Sequence, residues 1–384
     1  MIYFNNAATS YPKPKVVFDA VNAYFNAPTC HSARTGLEID SDDHATSARQ
    51  KLAKLFNVSD INQIIFTSGS TEALNLAING IGLKKGSHVV STTIEHNSVI
   101  RPLKHLERDE GIEVDFVECD CLSYVEPAKI EEAIKPNTKA VVVNHSSNVT
   151  GSILDLAEIA KVAHRHGALF IVDASQSAGN IPIDVTAWDI DLLSFTGHKS
   201  LYGIQGIGGL YLKKGLDVKP LKVGGTGVKS EVLTQPTEMP LYYEAGTPNM
   251  PGIVSLDAGA GYILEKGIDH IRNRKVEIVK TIIDKLKDYP EVEVYTRGKR
   301  NSYVNFCFNI KGMVPEEVGY ILDSSYDITV RTGLHCAPLI MKPLGVYPWG
   351  TVRASPSYFT TDNEVDKFIE AIKQTVKTFV RKEK

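Results

Sequence analysis

A lysine at the end of an apolar segment is the first residue of this sequence that could carry covalent chemistry. Lys199 follows a predicted strand at 192–196 and precedes a glycine-rich turn that ends at Gly209. A lysine that forms a Schiff base needs a fixed position and surroundings that favour the neutral amine. A solvated lysine beside a strand end has the same local pattern, so this segment alone leaves both interpretations open.

Two more predicted strands end at polar groups that suit a phosphorylated ligand. The strand at 169–173 ends at Asp173, and open α/β sheets bind ligands at this edge, although a helix cap would look the same. The strand at 63–67 runs into a hydroxyl-rich turn with Ser70 and Thr71 at the start of a helix. Backbone N–H groups and the helix dipole there favour a phosphate, or the turn is a plain capped helix.

A cysteine in the segment Arg331-Thr-Gly-Leu-His-Cys336-Ala-Pro is a candidate nucleophile. A reactive cysteine is partly exposed and ionised, which nearby cations favour, and Arg331 and His335 are close in sequence. A lone cysteine is also commonly a small buried apolar residue. The pair Cys119 and Cys121 lacks the further ligands of a zinc site, so we expect no metal.

The elements that must position these residues alternate between short apolar runs and helical patterns, which indicates a mostly parallel sheet covered by helices. Strands are predicted at 63–67, 88–92, 113–118, 140–144, 169–173, 192–196 and 209–212, with a helix at 153–166. Residues 221–251 are rich in glycine, proline and polar residues, which favours a long functional loop.

The last third of the chain reads as a smaller α+β region. A long helix at 253–289 leads into strands at 292–296 and 303–310, a helix at 315–324, strands at 328–331 and 351–355, and a helix from Asp362. We therefore predict a large α/β domain over 16–252 and a linker helix with a small α+β domain over 253–384. Residues 1–15 are expected to join the small domain.

Composition excludes several classes of protein. The chain has 384 residues, a net charge of -3 and 43% hydrophobic residues, which gives no electrostatic reason to expect nucleic acid or an anionic membrane as partner. It has no apolar run of the roughly 18 residues that span a bilayer. Five scattered cysteines do not indicate a disulfide framework, and the first residues do not resemble a secretory signal. These features predict a cytoplasmic protein.

Taken together, the hydroxyl-rich turn, Asp173 and Lys199 follow the order found in pyridoxal-phosphate (PLP) enzymes of fold type I. The sequence closely resembles the class V aminotransferase family over essentially its whole length, and within it the cysteine desulfurases of the SufS-like and selenocysteine lyase group. The segment from Arg331 to Ala337 resembles their Arg-x-Gly-x-His-Cys-Ala loop. It departs from it at Leu334, where relatives often have a second histidine, and at Pro338.

The resemblance implies a role for each matching residue. Lys199 would bind PLP and move the substrate's α-proton, His96 would stack on the ring, and Cys336 would receive the sulfur. Cofactor-binding roles fall on Ser70, Thr71, His96, Asn148, Asp173, Gln176, Ser194, His198, Lys199 and Thr247. The substrate would contact Asn148, Arg353, His31 and Arg331, and Thr247 would reach the PLP of a neighbouring subunit in a homodimer.

The implied reaction converts L-cysteine to L-alanine and leaves a persulfide on Cys336, from which a further acceptor protein would take the sulfur. A selenocysteine lyase remains open as an alternative, because selenium leaves more readily and depends less on a thiol. Other class V reactions, such as transamination, need no thiol and are disfavoured by Cys336. A non-catalytic scaffold in iron–sulfur assembly is disfavoured by the joint presence of the lysine, aspartate, histidine and cysteine.

Overall fold

The computed structural model describes residues 1–26, 44–227, 229, 231–296 and 304–380. The strands are β1 Ile2–Tyr3, β2 Ile64–Thr67, β3 His88–Thr92, β4 Glu113–Val117, β5 Thr138–Asn144, β6 Leu169–Asp173, β7 Leu192–Thr196, β8 Gly208–Leu212, β9 Val292–Val294, β10 Phe306–Ile310, β11 Ile328–Thr329, β12 Arg331–Gly333 and β13 Thr351–Ala354. The helices are α1 Lys15–Asn26, α2 His44–Phe56, α3 Ser70–Gly80, α4 Asn97–Asp109, α5 Pro127–Ala133, α6 Leu156–Arg165, α7 Met250–Lys266, α8 Ile268–Leu286, α9 Pro315–Tyr326 and α10 Asp362–Phe379.

A seven-stranded sheet in the order β2-β8-β7-β6-β5-β3-β4 forms the centre of the larger part of the fold. Strand β8 is antiparallel to both of its neighbours, and the pairs from β7 to β4 are all parallel. Strands β7 and β8 are buried along their whole length, because helices cover both faces of such a sheet. The expectation of a mixed, mostly parallel seven-stranded sheet is confirmed, with strand bounds within two residues of those predicted.

A four-stranded antiparallel sheet in the order β12-β13-β10-β9 lies in the C-terminal part of the chain. The N-terminus returns to this region, since β1 pairs in parallel with β11. Phe4 is fully buried and stacks on Phe368 of α10, with ring centroids 4.6 Å apart. These contacts bring the first residues of the chain to the small sheet. The division into the regions 1–15, 16–252 and 253–384 stays a prediction.

Three of the predicted elements were wrong in detail. The helix expected at 253–289 is two helices, because the chain turns at Gly267 with a φ of 84°, a conformation that favours glycine. The helix expected from 153 begins only at Leu156. Asp155 is its N-cap, and the Asp155 side chain accepts a hydrogen bond from the Glu158 N–H. The strand expected at 328–331 is divided between β11 and β12, which belong to different sheets.

Between β8 and α7 the described residues contain neither helix nor strand, which agrees with the loop expected at 221–251. No helix in the described part of the chain has the length and apolar character that crossing a bilayer requires.

Helix α7 packs directly on the turn that carries Lys199. A Cβ atom added to Gly259 would lie 2.1 Å from the backbone oxygen of Leu201, two residues after that lysine. The helix can therefore approach the turn only because this position has no side chain. Gly261 on the same helix faces only the flexible end of Lys51, at 3.6 Å.

We predict that Gly259→Ala lowers the free energy of unfolding by about 1–3 kcal/mol, because the added methyl group overpacks against backbone. Gly261→Ala is the matched control and should leave stability unchanged or raise it by up to about 1 kcal/mol, the difference in helix propensity. Urea unfolding of both variants measures this. Equal stabilities of the two variants would contradict the close packing of α7 on the turn.

Candidate active site

A cavity of about 390 Å³ opens at the carboxyl edge of the large sheet. Its lining includes Asn144 from the end of β5, Asp173 from the end of β6 and Thr196 from the end of β7. The register of the strands explains why these strand ends meet, because Asn144 pairs with Asp173 and Asp173 pairs with Ser194 across parallel strands. The carboxyl ends of neighbouring parallel strands thus bring together side chains that are far apart in sequence.

Lys199 lies at the floor of this cavity, in the turn after β7. Burial lowers the pKa of its amine to about 8, and the guanidinium groups of Arg353 and Arg331 act in the same direction. The Asp173 carboxylate opposes them by favouring the charged form. A substantial fraction of the amine is therefore neutral near pH 8, as a nucleophilic or basic lysine requires.

The Asp173 carboxylate is fixed from one side. Its Oδ1 accepts hydrogen bonds from the Ser175 N–H at 2.9 Å, the Ser175 hydroxyl at 2.5 Å and the Ser70 hydroxyl at 3.3 Å. Ser194, also hydrogen-bonded to Ser70 at 2.9 Å, lies 3.5 Å from the same oxygen. Among the described residues, the hydrogen bonds to this carboxylate therefore end on Oδ1, and Oδ2 can accept a hydrogen bond from a protonated ring nitrogen in the cavity.

Helix α3 begins at the cavity, with Ser70 and Thr71 in its first turn. The preceding Gly69 has a φ of 155°, which residues with a side chain rarely adopt. Exposed N–H groups at a helix start and the positive end of its dipole form an anion site. His198 also lines the cavity, and burial lowers the pKa of its ring to about 4, so it faces an anion as a neutral hydrogen-bonding group.

His96 caps helix α4 and lines the cavity. Its Nδ1 accepts a hydrogen bond from the Ser98 N–H at 3.1 Å, and the Ser98 hydroxyl is 2.9 Å from that of Thr71. Burial, with the charge of Lys199, lowers the pKa of the ring to about 4. A neutral ring held at one edge by this cap is suited to stack on a planar ligand.

Arg353 lies behind the cavity and is fully buried. One of its nitrogens, Nη1, donates to the backbone oxygen of Asn148 at 2.7 Å, and Nη2 donates to the Asn5 side chain at 3.0 Å. Burial and the neighbouring Arg331 lower its pKa to about 9, so it still carries a charge at neutral pH. Gln176, on the cavity wall, donates to the backbone oxygen of Ala7 at 3.0 Å.

The Cys336 loop is held in an uncommon backbone conformation beside Arg331. His335 and Cys336 have φ angles of 52° and 58°, which non-glycine residues adopt at a cost. Asn148 Nδ2 donates to the His335 oxygen at 2.7 Å, and the Asn97 N–H donates to the Cys336 oxygen at 2.7 Å. Arg331 Nη2 donates to the Cys336 sulfur at 2.9 Å.

The lining of the cavity leaves room for a polar ligand to make hydrogen bonds. Among the described residues, buried polar atoms without a partner include Asn144 Oδ1, Ser146 Oγ, Asn148 Oδ1 and His198 Nδ1, all of residues that line the cavity. Buried polar groups are rarely left unsatisfied, so these atoms indicate a bound polar group. The helix start, Asp173 and Lys199 fit the phosphate, ring nitrogen and aldehyde of PLP, respectively.

Most of the residues singled out from sequence line this cavity, and five do not. Arg353 and Cys336 are joined to its lining residues Asn148 and Arg331 by hydrogen bonds. Ser194 is buried behind its wall and contacts Asp173, so it is placed to orient that carboxylate rather than to reach a ligand. Thr247 is exposed and lies away from the cavity wall of its own chain. His31 lies outside the described residues.

Several other groups at the site could not be predicted from the sequence. Glu95, Asn144 and Ser175 contact the site residues, and the only available signal was their position at or next to a predicted strand end. Within the described ranges no three histidine, cysteine or acidic side chains are grouped as metal ligands would be. Cys307 is fully buried, and burial raises the pKa of its thiol to about 12.

Comparisons with known proteins agree with this geometry. The family model for aminotransferase class-V matches residues 2–368. A probable cysteine desulfurase of Methanothermobacter thermautotrophicus is 35% identical over 96% of this chain and 93% of its own. The apo structure of a cysteine desulfurase from Thermococcus onnurineus superposes with a TM-score of 0.90, at 34% identity over 98% of this chain and 94% of that one.

A cysteine desulfurase from Escherichia coli, solved with an S-sulfonic acid, superposes with a TM-score of 0.89 at 27% identity, and covers 98% of this chain and 94% of that one. Each match extends over nearly the full length of both aligned chains, so it includes the strand ends that form the cavity as well as the Cys336 loop. The chain therefore belongs to the class-V aminotransferase family, whose members depend on pyridoxal phosphate.

Proposed function

We propose that the chain is a PLP-dependent cysteine desulfurase, which converts L-cysteine to L-alanine and transfers the sulfur to Cys336. The observation that carries the proposal is the 2.9 Å contact of Arg331 with the Cys336 sulfur beside a cavity that contains Lys199. Cys336 is near enough to Lys199 for its charge to act on the amine. A transaminase has no use for such a thiol, whereas a desulfurase requires one.

Lys199 is the residue that holds the cofactor and then moves the substrate's α-proton. Its pKa of about 8 lets the amine act as a base near neutral pH without losing the ability to return the proton. The bound cofactor supplies the electron sink for this step. Asp173, with Oδ1 fixed by Ser175 and Ser70, keeps a negative charge where the ring nitrogen would lie.

Arg353 is placed to bind the substrate's carboxylate. Its guanidinium is fully buried, and the buried Nε has no partner among the described residues. A planar guanidinium binds carboxylates through two parallel hydrogen bonds. Because Asn148 touches both Arg353 and the backbone of His335, carboxylate binding and the position of the Cys336 loop share one hydrogen-bond network.

The sulfur transfer itself is a nucleophilic attack. The Cys336 thiolate forms a bond to the substrate's sulfur, the carbon–sulfur bond breaks, and its electron pair takes up a proton at the β-carbon to give alanine. Arg331 holds the thiolate through a charge-assisted hydrogen bond before the attack. A selenocysteine substrate would follow the same course with less dependence on Cys336, since selenium leaves more readily.

We predict that Arg331→Gln slows alkylation of Cys336 by iodoacetamide about tenfold at pH 7, because charge-assisted hydrogen bonds to a thiolate are worth about 1.5–3 kcal/mol. Peptide mass spectrometry separates Cys336 from the exposed Cys121, which serves as the internal control. An unchanged rate at Cys336 would contradict the role of Arg331, and a parallel drop at Cys121 would point to a general effect on the fold.

We predict that Lys199→Ala abolishes alanine formation from both L-cysteine and L-selenocysteine, and that Cys336→Ala loses the reaction with L-cysteine. The measurement is anaerobic alanine release by the intact protein and both variants, with Cys307→Ala as the matched cysteine control. Near-normal desulfuration by Cys336→Ala would refute the proposed sulfur acceptor. Turnover of selenocysteine alone by the intact protein would shift the function to selenium.

We also infer a homodimer in which Thr247 completes the phosphate site of the neighbouring subunit. Thr247 is exposed in its own chain, and the loop that leads to it carries the exposed apolar side chains Val223 and Leu233. Exposed apolar groups of this kind are typical of surfaces that become buried in an assembly.

Mixing two inactive variants tests the dimer. In a heterodimer of Lys199→Ala and Thr247→Asp chains, one site combines an intact Lys199 with an intact Thr247 from the other subunit. We predict that the heterodimer has half of the activity of the intact dimer, so that an equimolar mixture that associates at random regains up to a quarter of it. Mixtures that form heterodimers without regaining activity would refute the shared site.

The persulfide of Cys336 must pass its sulfur to another thiol before the next cycle. We therefore expect a thiol-bearing protein acceptor and a reducing compartment, the cytoplasm, where disulfides are rare. Subcellular fractionation with an antibody to the protein tests the location, and its recovery in an oxidising compartment would overturn it.

A further inference from the structure

The glutamate next to the ring-stacking histidine is buried beside the active site. Glu95 has no exposed surface. Its Oε1 accepts hydrogen bonds from the Thr92 hydroxyl at 2.5 Å and from the Asn144 N–H at 3.0 Å. Its Oε2 is buried and has no hydrogen-bond partner in the described part of the chain.

These two bonds join parts of the site that come from different strands. Thr92 is the last residue of β3, and Glu95 and His96 lie in the turn from β3 to α4. Asn144 ends β5, lines the cavity and donates from Nδ2 to the Ile94 oxygen at 2.6 Å. The turn that carries His96 is thus fixed to the neighbouring strand by the carboxyl of Glu95 and by the amide of Asn144.

We propose that Glu95 is a positioning residue of the cofactor site, which holds the His96 turn against the end of β5 and so sets the angle at which the His96 ring faces the cofactor. The inference rests on the proposed use of PLP but not on the desulfurase reaction. Through Ser98, the same turn also reaches Thr71 in the first turn of α3, so a shift of His96 would disturb the phosphate end as well.

The surroundings of Glu95 favour the neutral carboxylic acid. Burial and the negative charge of Asp173 together raise its pKa to about 8, against the hydrogen bonds from Thr92 and Asn144, which act to lower it. Thr92 on β3 and Asn144 on β5 are uncharged, so Asp173 on β6 is the charged group that faces it. Positive charges act on the adjacent His96 from Lys199, Arg331 and Arg101. A protonated Glu95 leaves Asp173 as the charged carboxylate at the ring nitrogen.

A neutral buried glutamate has a predictable effect on stability. Between pH 4.5 and about 8 the folded protein retains the proton of Glu95, whereas the unfolded chain has released it. Stability of the protein therefore falls as pH rises through this window, relative to a variant in which the group cannot ionise. Glu95→Gln is that variant, since its amide keeps the oxygen that accepts from Thr92 and Asn144.

The first experiment compares thermal unfolding of the PLP-loaded intact protein and Glu95→Gln between pH 6 and pH 8. We expect the melting temperature of Glu95→Gln to rise relative to the intact protein as pH increases. Glu110→Gln, at an exposed position just after helix α4, is the matched control and should show a constant difference in melting temperature. If the difference in melting temperature between Glu95→Gln and the intact protein did not change with pH, Glu95 would not be a neutral carboxylic acid in the folded protein.

The second experiment measures the geometry of the bound cofactor by its visible circular dichroism and its affinity by equilibrium dialysis. Glu95→Gln should retain the signal and the affinity of the intact protein, whereas Glu95→Ala should lose most of the signal and bind PLP about tenfold more weakly, or about 1.4 kcal/mol. The positioning role would be overturned if a folded Glu95→Ala kept both the circular dichroism signal and the affinity for PLP. It would also be overturned if Glu95→Gln lost both as Glu95→Ala does. Neither readout requires turnover of L-cysteine, so a failure here is distinct from a failure of the desulfurase proposal.

Discussion

The rest of this site depends on one constraint: the Lys199 amine must be partly neutral although it lies close to the Asp173 carboxylate. Burial lowers the pKa of Lys199 to about 8, and the negative charges of Asp173 and Cys336 prevent a larger shift. Two further cations, Arg353 and Arg331, act on the same amine. One carboxylate at the site therefore faces three cationic groups. A phosphate or a substrate carboxylate that binds there would reduce this excess of positive charge.

Parallel-sheet register is what brings these charges together. Asn144, Asp173 and Ser194 are neighbours across three strands, although nearly 50 residues separate the first from the last. The Cys336 loop reaches the same edge from the smaller sheet, through hydrogen bonds to Asn148 and Asn97. Sulfur transfer needs a thiol that is close to the substrate, and this loop holds one in a backbone conformation that its hydrogen bonds must stabilise.

Sequence patterns predicted the parts of the fold that follow from local periodicity. The continuous apolar strands ending at Asp173 and near Lys199 placed both residues at one sheet edge, as found. The break between α7 and α8 was missed, because one glycine within a helical pattern does not reveal that its φ is positive. The contact between Arg331 and Cys336 depends on side-chain directions after a turn with two left-handed residues, and spacing alone cannot supply these. Glu95 was missed because its burial depends on packing of the turn against β5.

A single turnover tests whether the chain moves sulfur from L-cysteine to Cys336. The PLP-loaded protein is mixed with one equivalent of L-cysteine per active site under anaerobic conditions and without any added thiol or other reductant, and alanine and the mass of the Cys336 peptide are measured together. We expect one alanine per active site and the gain of one sulfur atom on Cys336, after which the reaction stops. Alanine formation with an unmodified Cys336 peptide would contradict this transfer.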